Sequence, residues 1–472
     1  MSLLLLSLAT ALAGYGDRIV IIEGGEAFSA GPSQEVSQAP WWQSFGEPTL
    51  QGLVESGLSD SPALASGQAR VDAAQAQSWA VLSPVLPQVS VDFGHQIKPC
   101  PEIGFAICDF TVPTDENGIP TQEVPDTYAQ GSLYLNAGMN LDLFGASYNS
   151  NKASRLEAAA AGGDVEAQAL MLSVQVGGAY LDWLTAAEQL ALVERQLRLN
   201  QELLEIVELN YQASTSTAVD LLQQRQSLAQ VQTSLPSAQA QLRLQEQQLA
   251  VLTGQDPSQR MDLLVQPLPE LPASPALGAP RDLWENRPDL RAEMARLEAA
   301  QRREKASVRG ALPTVGVSGQ TGWSYQDIYD MESQQQWTVG ASVSVPILSG
   351  GANASAVSAA RASTDAAAHT ANNAFLSAVA EVEGAIAQEQ AAVAAWQAAQ
   401  TQAEAAELAY QAALTQYQNG HGSYLQLSQL LATHFQAELS ELSAHRSALG
   451  ARLTLHQALG GSWTATWTES AE

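Results

Sequence analysis

The chain has 472 residues, 46% of them hydrophobic, enough for two or three ordinary domains with a sizeable core. Its net charge is −28 and only three of its 21 basic residues are lysine, which argues against nucleic acid or an anionic lipid surface as a partner. That acidity reads either as a pore lining that favours cations or as a solvated acidic surface.

Apolar residues are spread as single Leu, Val and Ala, and no run reaches the roughly 18 needed for a transmembrane helix. Any membrane crossing would therefore be made by strands. The one apolar run, Leu3 to Leu12 followed by Ala13 and Gly14, fits the core of a signal peptide over residues 1–14. No Lys or Arg precedes it, so a misplaced start codon stays open. Leu12-Ala13-Gly14-Tyr15 has the form of a lipoprotein box with Tyr15 in the place of the cysteine, and no lipid is expected there. An extended segment follows over 15–47.

The rest is one unit written twice, over 48–270 and 271–463, with a tail at 464–472. Ser61-Pro62-Ala63-Leu64 and Leu86-Pro87 return as Arg287-Pro288-Asp289-Leu290 and Leu312-Pro313, both 226 positions later. Tyr211 and Gly254 return as Tyr417 and Gly460 at an offset of 206. The offset changes once, between Leu86 and Tyr211, so the first copy carries an enlarged loop in the Pro-containing stretch 97–130. That loop holds both cysteines, Cys100 and Cys108, which read as a local disulfide in an exported chain or as two free thiols, and make a poor metal site.

Each copy opens with an amphipathic helix followed by two alternating segments, expected as strands over about 88–96, 131–143, 313–325 and 336–347. In Gly131 to Phe144 apolar side chains fall at every second position (Leu133, Leu135, Ala137, Met139, Leu141, Leu143) with Asn136, Asn140 and Asp142 between them. These lengths cross a bilayer when tilted. Trp323, Tyr325 and Trp337 lie where the third and fourth strands near their connecting loop, as interfacial aromatics would. A soluble, half-buried sheet would show the same alternation.

Each copy then closes with two long helices, expected over about 147–213 and 218–253, and 353–418 and 423–459. Leu190, Val193, Leu197, Asn200, Leu204, Val207 and Tyr211 alternate spacings of three and four, as do Leu228, Val231, Leu235, Ala238, Leu242, Gln245, Leu249 and Leu252: heptad seams. In the second copy the seam is mostly Ala (Ala399, Ala403, Ala406, Ala413), so those helices can pack closely. From Lys152 to Asn210 no proline intervenes, giving a rod of roughly 90 Å at about 1.5 Å per residue. Pro236, inside the second helix, predicts a kink. Four strands cannot close a barrel, and an open edge in lipid leaves backbone groups unsatisfied, so a membrane sheet of this size must recruit copies of itself; three copies give twelve strands.

At this point the motifs are recognisable. Trp41-Trp42 with Phe45-Gly46 and Pro48, Leu141-Asp142-Leu143-Phe144-Gly145, Arg287-Pro288-Asp289-Leu290, Ala311-Leu312-Pro313, Pro346-Ile347-Leu348 with Gly350-Gly351, Tyr417 with Gly420 and Tyr424-Leu425, and Ala458-Leu459-Gly460-Gly461-Ser462-Trp463 stand in an order and spacing that resembles the TolC-like outer-membrane factors. The resemblance is closer to the branch that works with multidrug and heavy-metal pumps. It implies an α+β membrane protein: a homotrimer whose twelve strands form a transmembrane barrel in the outer membrane, with long antiparallel helices forming an α-barrel through the periplasm. It implies as partners a periplasmic membrane-fusion adaptor, an inner-membrane pump of the proton-driven (RND) type and outer-membrane lipid, and no cofactor. The chain would be a passive exit duct for small molecules such as drugs or metal ions.

The resemblance also assigns residues. The helix turns at the closed tip fall at Ser214 to Asp220, with Ser214 where the family usually has Gly, and at Asn419 to Tyr424. Tyr211, Ser214, Tyr417, Gly420 and Tyr424 are the expected tip and adaptor contacts. The family places aspartates just past these turns, around the aperture; Asp220 matches one, while Gln426 and Gln429 stand at the corresponding places of the second copy. Asp220 is equally suited to stabilising a helix N-terminus. His421 reads as a periplasmic pH sensor or as a solvated histidine.

Two other readings stay open: an exit duct for secreted proteins, which shares the fold, and a periplasmic coiled-coil tethering protein. No catalytic constellation favours an enzyme, since the six histidines (95, 369, 421, 434, 445, 456) lack metal-ligand spacing and neither a phosphate-cradling loop nor a nucleophile elbow occurs.

Overall fold

In the computed structural model, which describes residues 20–30, 39–99, 115–117, 121, 127–327, 332–461 and 463–464, the alternating segments form four strands. These are β1 (Gln88–Pro99), β2 (Thr127–Leu141), β3 (Thr314–Asp327) and β4 (Glu332–Ser344). They make one antiparallel meander in the order β1-β2-β3-β4, so the ladder between β2 and β3 joins the two copies. The signal-peptide segment, Cys100 and Cys108 lie outside the described residues.

Register fixes which side chains share a face. Val91, Leu135, Thr321 and Trp337 stand on one rung, and every odd-numbered strand residue falls on that same face. It carries Val89, Val91, Phe93, Ile97, Leu133, Leu135, Val317, Trp323, Trp337, Val339 and Val343, all exposed. The even face carries Ser90, Asp92, Asn136, Asn140, Gln320, Thr338 and Ser342. An apolar face left open across a whole sheet is what lipid, rather than water, would cover.

Two glycines allow the repeats to interlock. A Cβ at Gly131 would stand 2.1 Å from the Tyr325 ring, which lies across that position on the odd face to bring its hydroxyl 2.7 Å from His95 Nδ1. On the even face Tyr134 lies across Gly322, where a Cβ would meet its ring at 2.6 Å. The sheet belongs to a unit formed by residues 72–158 and 296–367. Within it Asn151 donates from Nδ2 to the Ser78 carbonyl at 2.6 Å, and Arg303 pairs with Glu157 at 2.7 Å.

The helices are α1 (Pro48–Asp60), α2 (Pro62–Ala80), α3 (Ala146–Gln212), α4 (Ala218–Leu252), α5 (Leu283–Asn286), α6 (Pro288–Gly310), α7 (Ala352–Gln418) and α8 (Tyr424–Leu459). The duplication is visible in their lengths: α3 and α7 both have 67 residues, and α4 and α8 have 35 and 36. At about 1.5 Å per residue, 67 residues span roughly 100 Å. Among the described residues no helix is long and apolar enough to cross a membrane. α4 runs on through Pro236, the expected kink site, as one helix.

The second unit takes residues 1–71, 159–295 and 368–472. Its main core gathers Trp41, Trp42, Phe45, Leu50, Tyr180, Trp183, Leu249, Leu449, Leu453 and Trp463. The Trp-Trp pair near the start and the Trp near the end are thus one contact, with Trp42 and Trp463 edge to face at 4.8 Å. Trp41 donates from Nε1 to Ser173 Oγ at 3.0 Å and presses on Gly177, where a Cβ would stand 2.5 Å from the ring. A smaller core holds the segment 20–30 against the second copy. Phe28 is buried with Leu283, Phe375 and Leu459, and the Asn372 amide bonds both the Val20 carbonyl and the Ile22 N–H.

The ends of the two long hairpins repeat each other. Gly254 follows α4 at φ 72° with the Asp60 carbonyl 2.6 Å from where its Cβ would be. Gly460 follows α8 at φ 80° with the Asn286 carbonyl at 2.7 Å. Both positions need glycine for conformation and for space.

Candidate channel site at the helix turns

The turn from α3 to α4 and the turn from α7 to α8 share one backbone geometry. The N–H groups of Thr215 and Ser216 donate to the Asn210 carbonyl at 2.9 and 3.2 Å; those of His421 and Gly422 donate to the Gln416 carbonyl at 2.9 and 3.1 Å. The left-handed residue is Ser214 (φ 62°) in the first turn and Gly420 (φ 75°) in the second, again 206 positions apart. Ser214 is the one non-glycine with positive φ among the described residues, at a cost of about 1–2 kcal/mol for a residue with a Cβ.

Side chains then make the turns different. Thr217 caps α4 and Asp220 completes a capping box. Asp220 Oδ2 accepts from the Thr217 N–H at 2.9 Å, Thr217 Oγ at 2.8 Å and Ser216 Oγ at 3.1 Å, while the Asp220 N–H donates back to Thr217 Oγ at 3.2 Å. Partial burial alone would raise the Asp220 carboxyl, but these hydrogen bonds outweigh it and hold the group below its ordinary value. In the second turn Ser423 makes no side-chain cap bond, and Gln426 and Gln429 are exposed on the first turns of α8. Gly422 is confined there, since a Cβ would meet the Tyr417 nitrogen at 2.8 Å.

The tyrosines divide in the same way. Tyr417 and Tyr424 are buried in a cluster with Leu203, Val207, Tyr410, Leu427, Leu431 and Phe435, whereas Tyr211 is 45% exposed. The expected seam therefore shifts at this end of α3: Asn200, Leu203 and Val207 face inward, and Leu204 is only half-buried. A straight helix drifts relative to a seven-residue repeat, which accounts for the shift.

A buried polar network ties the two hairpins together. Tyr424 donates from its hydroxyl to Gln224 Oε1 at 2.9 Å; Gln224 donates from Nε2 to the Asn200 carbonyl at 2.8 Å and to Asn200 Oδ1 at 3.2 Å. Ser227 adds a bond to Asn200 Oδ1 at 3.1 Å. Burial pushes the Tyr424 hydroxyl up, and the nearby Asp220 and Tyr417 add to the effect against a bond with Ser428. Gln224 is 1% exposed, yet nothing in Leu-Leu-Gln-Gln-Arg-Gln marks it as buried. Asn200 is visible in the sequence only as a polar break in the seam. At offset 206 these positions hold Leu430 and Ala406, so the network belongs to one pair of hairpin faces and not to the repeat.

Trp323 and Trp337 stand on the odd face of the sheet on neighbouring rungs, with Tyr325 one rung further, toward the β3-β4 connection. Among the described residues no cluster of His, Cys, Asp or Glu is arranged to hold a metal.

A sheet with an exposed, largely apolar face, together with two very long helical hairpins from a duplicated chain, is the make-up of an outer-membrane channel protein. The chain belongs to the outer membrane efflux protein family, which it matches over residues 53–255 and 279–461, one stretch in each copy. It is 28% identical over 455 residues to the pyoverdine export outer membrane protein OpmQ of Pseudomonas putida, covering 94% of this chain and 92% of that one. It is 25% identical to the toluene efflux pump outer membrane protein TtgF of Pseudomonas putida, covering 92% and 87%. The solved outer-membrane channel OprN superposes with a TM-score of 0.77 at 25% identity, over 95% of this chain and 98% of that one. The protein is an outer-membrane component of an efflux system.

Proposed function

We propose that three copies of this chain form a twelve-stranded barrel in the outer membrane and a helical tunnel below it, a passive duct that releases small organic molecules handed over by a pump and its adaptor. The observation that carries this reading is the sheet: most of the large apolar side chains on its odd face are exposed, and the outer edges of β1 and β4 have no strand partner among the described residues. Lipid satisfies the face, and further copies satisfy the edges. The open face also weighs against a soluble tethering protein. The pyoverdine and toluene named for its relatives support small organic cargo over secreted protein. Passive flow agrees with the absence of any catalytic constellation in the sequence.

The two turns form the periplasmic aperture in this reading, with Asp220 in one hairpin and Gln426 and Gln429 in the other. Tyr211, Ser214 and Gly420, exposed at the turns, are the surface offered to an adaptor on a pump of the proton-driven type. The Gln426 and Gln429 amides can bond to one another around a three-fold axis without charge repulsion, so cations should bind that ring more weakly than they would a ring of carboxylates. Purified protein should run as a heat-sensitive trimer and conduct in planar bilayers, with little block by added divalent cations. A soluble monomer without conductance would overturn the duct, and strong divalent block would overturn the amide aperture.

A further inference from the structure

The two edges of the sheet carry matching apolar stretches on the odd face. On β1 the stretch runs over Val89, Val91, Phe93 and Ile97, with the polar His95 between the last two, and on β4 over Trp337, Val339, Ala341, Val343 and, one step past the last rung, Val345. Each covers five alternate positions. Beyond Trp337 the same face of β4 turns polar at Gln335 and Ser333. Val345 is 55% exposed and continues the alternation where β3 no longer runs beside it.

Neither edge carries the devices that keep edge strands apart. β4 has no proline or lysine, and β1 has Lys98 and Pro99 only at its far end. Edges this long, over 12 and 13 residues, call for a strand partner. Resting on the trimer reading above, we infer that β1 of a second copy pairs antiparallel with β4 in one register, with Val89 opposite Val345, Val91 opposite Val343, Phe93 opposite Ala341, His95 opposite Val339 and Ile97 opposite Trp337.

Three consequences agree with this register. The upper and lower limits of the apolar stretch meet at the seam, so within it apolar residues face apolar ones on the lipid side at every pair except His95 with Val339. On the even face Asp92 comes opposite Ser342 and Lys98 opposite Gln336, so no like charges are opposed. Within one copy the rung of Trp337 passes through Val91, whereas across the seam Trp337 meets Ile97, a slip of six residues for every four strands. At about 3.3 Å per residue and about 4.8 Å between strands, that slip tilts the strands by roughly 45°, the usual range for membrane barrels. Moving the seam by a further two residues in the same direction raises the tilt to roughly 54°, outside that range.

Paired cysteines test the register in full-length protein carrying Cys100→Ser and Cys108→Ser. Val91→Cys with Val343→Cys probes the odd face and Ser90→Cys with Ser344→Cys the even face, so that both kinds of antiparallel pair are sampled. Oxidised in outer membranes, at least one of these should join subunits at five times the yield or more of the slipped combinations Val91→Cys with Val345→Cys and Val89→Cys with Val343→Cys. Spin labels on the Val91→Cys and Val343→Cys single variants, co-assembled, should give a short inter-subunit distance even where disulfide geometry is poor. Preferential joining of a slipped pair in an intact trimer overturns the register and leaves the duct reading standing. Absence of any joining in protein that stays monomeric overturns the duct reading itself.

Discussion

The two hairpin turns have one backbone and two chemistries. The first holds its helix start with Thr217 and Asp220 and tolerates a strained Ser214; the second uses Gly420 and Gly422 and leaves Ser423 without a cap bond. Duplication evidently preserves the path of the chain, while the side chains at each turn answer to what lies beside it. Burial follows the same division, since Tyr417 and Tyr424 are inside and Tyr211 is not.

This comparison breaks most sharply at Gly422. Gly422→Val places a side chain against the Tyr417 backbone, and the cost should reach about 3 kcal/mol in thermal or denaturant unfolding; the equivalent Ser216→Val should cost far less. Gln224→Leu removes the centre of the buried network and leaves Asn200 and Tyr424 without it. A loss of about 1–3 kcal/mol is expected, and Tyr424→Phe in the same background should add little, because the partner is already gone.

Thr217→Ala removes the capping box at about 1 kcal/mol, whereas Ser423→Ala should be close to neutral. The Thr217 effect should depend on pH. The Asp220 carboxyl is lowered in the folded protein, so its bonds contribute fully above the unfolded value of about 4 and are lost as pH falls through the folded one. The variant should therefore approach the parent in stability in acid. The smallest change is Ser214→Gly, which relieves left-handed strain and should stabilise by up to about 1 kcal/mol, less the added freedom of the unfolded chain.

The duplication, the four strands and the long helices can be read from the sequence because they rest on periodicity and repeated motifs. The outermost motifs are legible too, though not why they occur together: Trp42 and Trp463 are far apart in sequence and meet in one cluster. The Asn200, Gln224 and Tyr424 network is hidden because it joins faces of two different hairpins, and no local pattern records which glutamine points inward. Asp220 is visible as an acidic residue past a turn, but its engagement by three donors depends on the cap geometry.

The tyrosines that cross over Gly131 and Gly322 both sit on the ladder between β2 and β3. That ladder joins strands separated by the long helices of the first copy and the segment after them, so it closes the largest loop in the sheet, while the β3-β4 hairpin closes one of the smallest. Loop closure delays such pairings during folding. Pulse-labelled hydrogen exchange should find the β3-β4 amides protected before those shared by β2 and β3, which would make the crossed tyrosines the latch that fastens last.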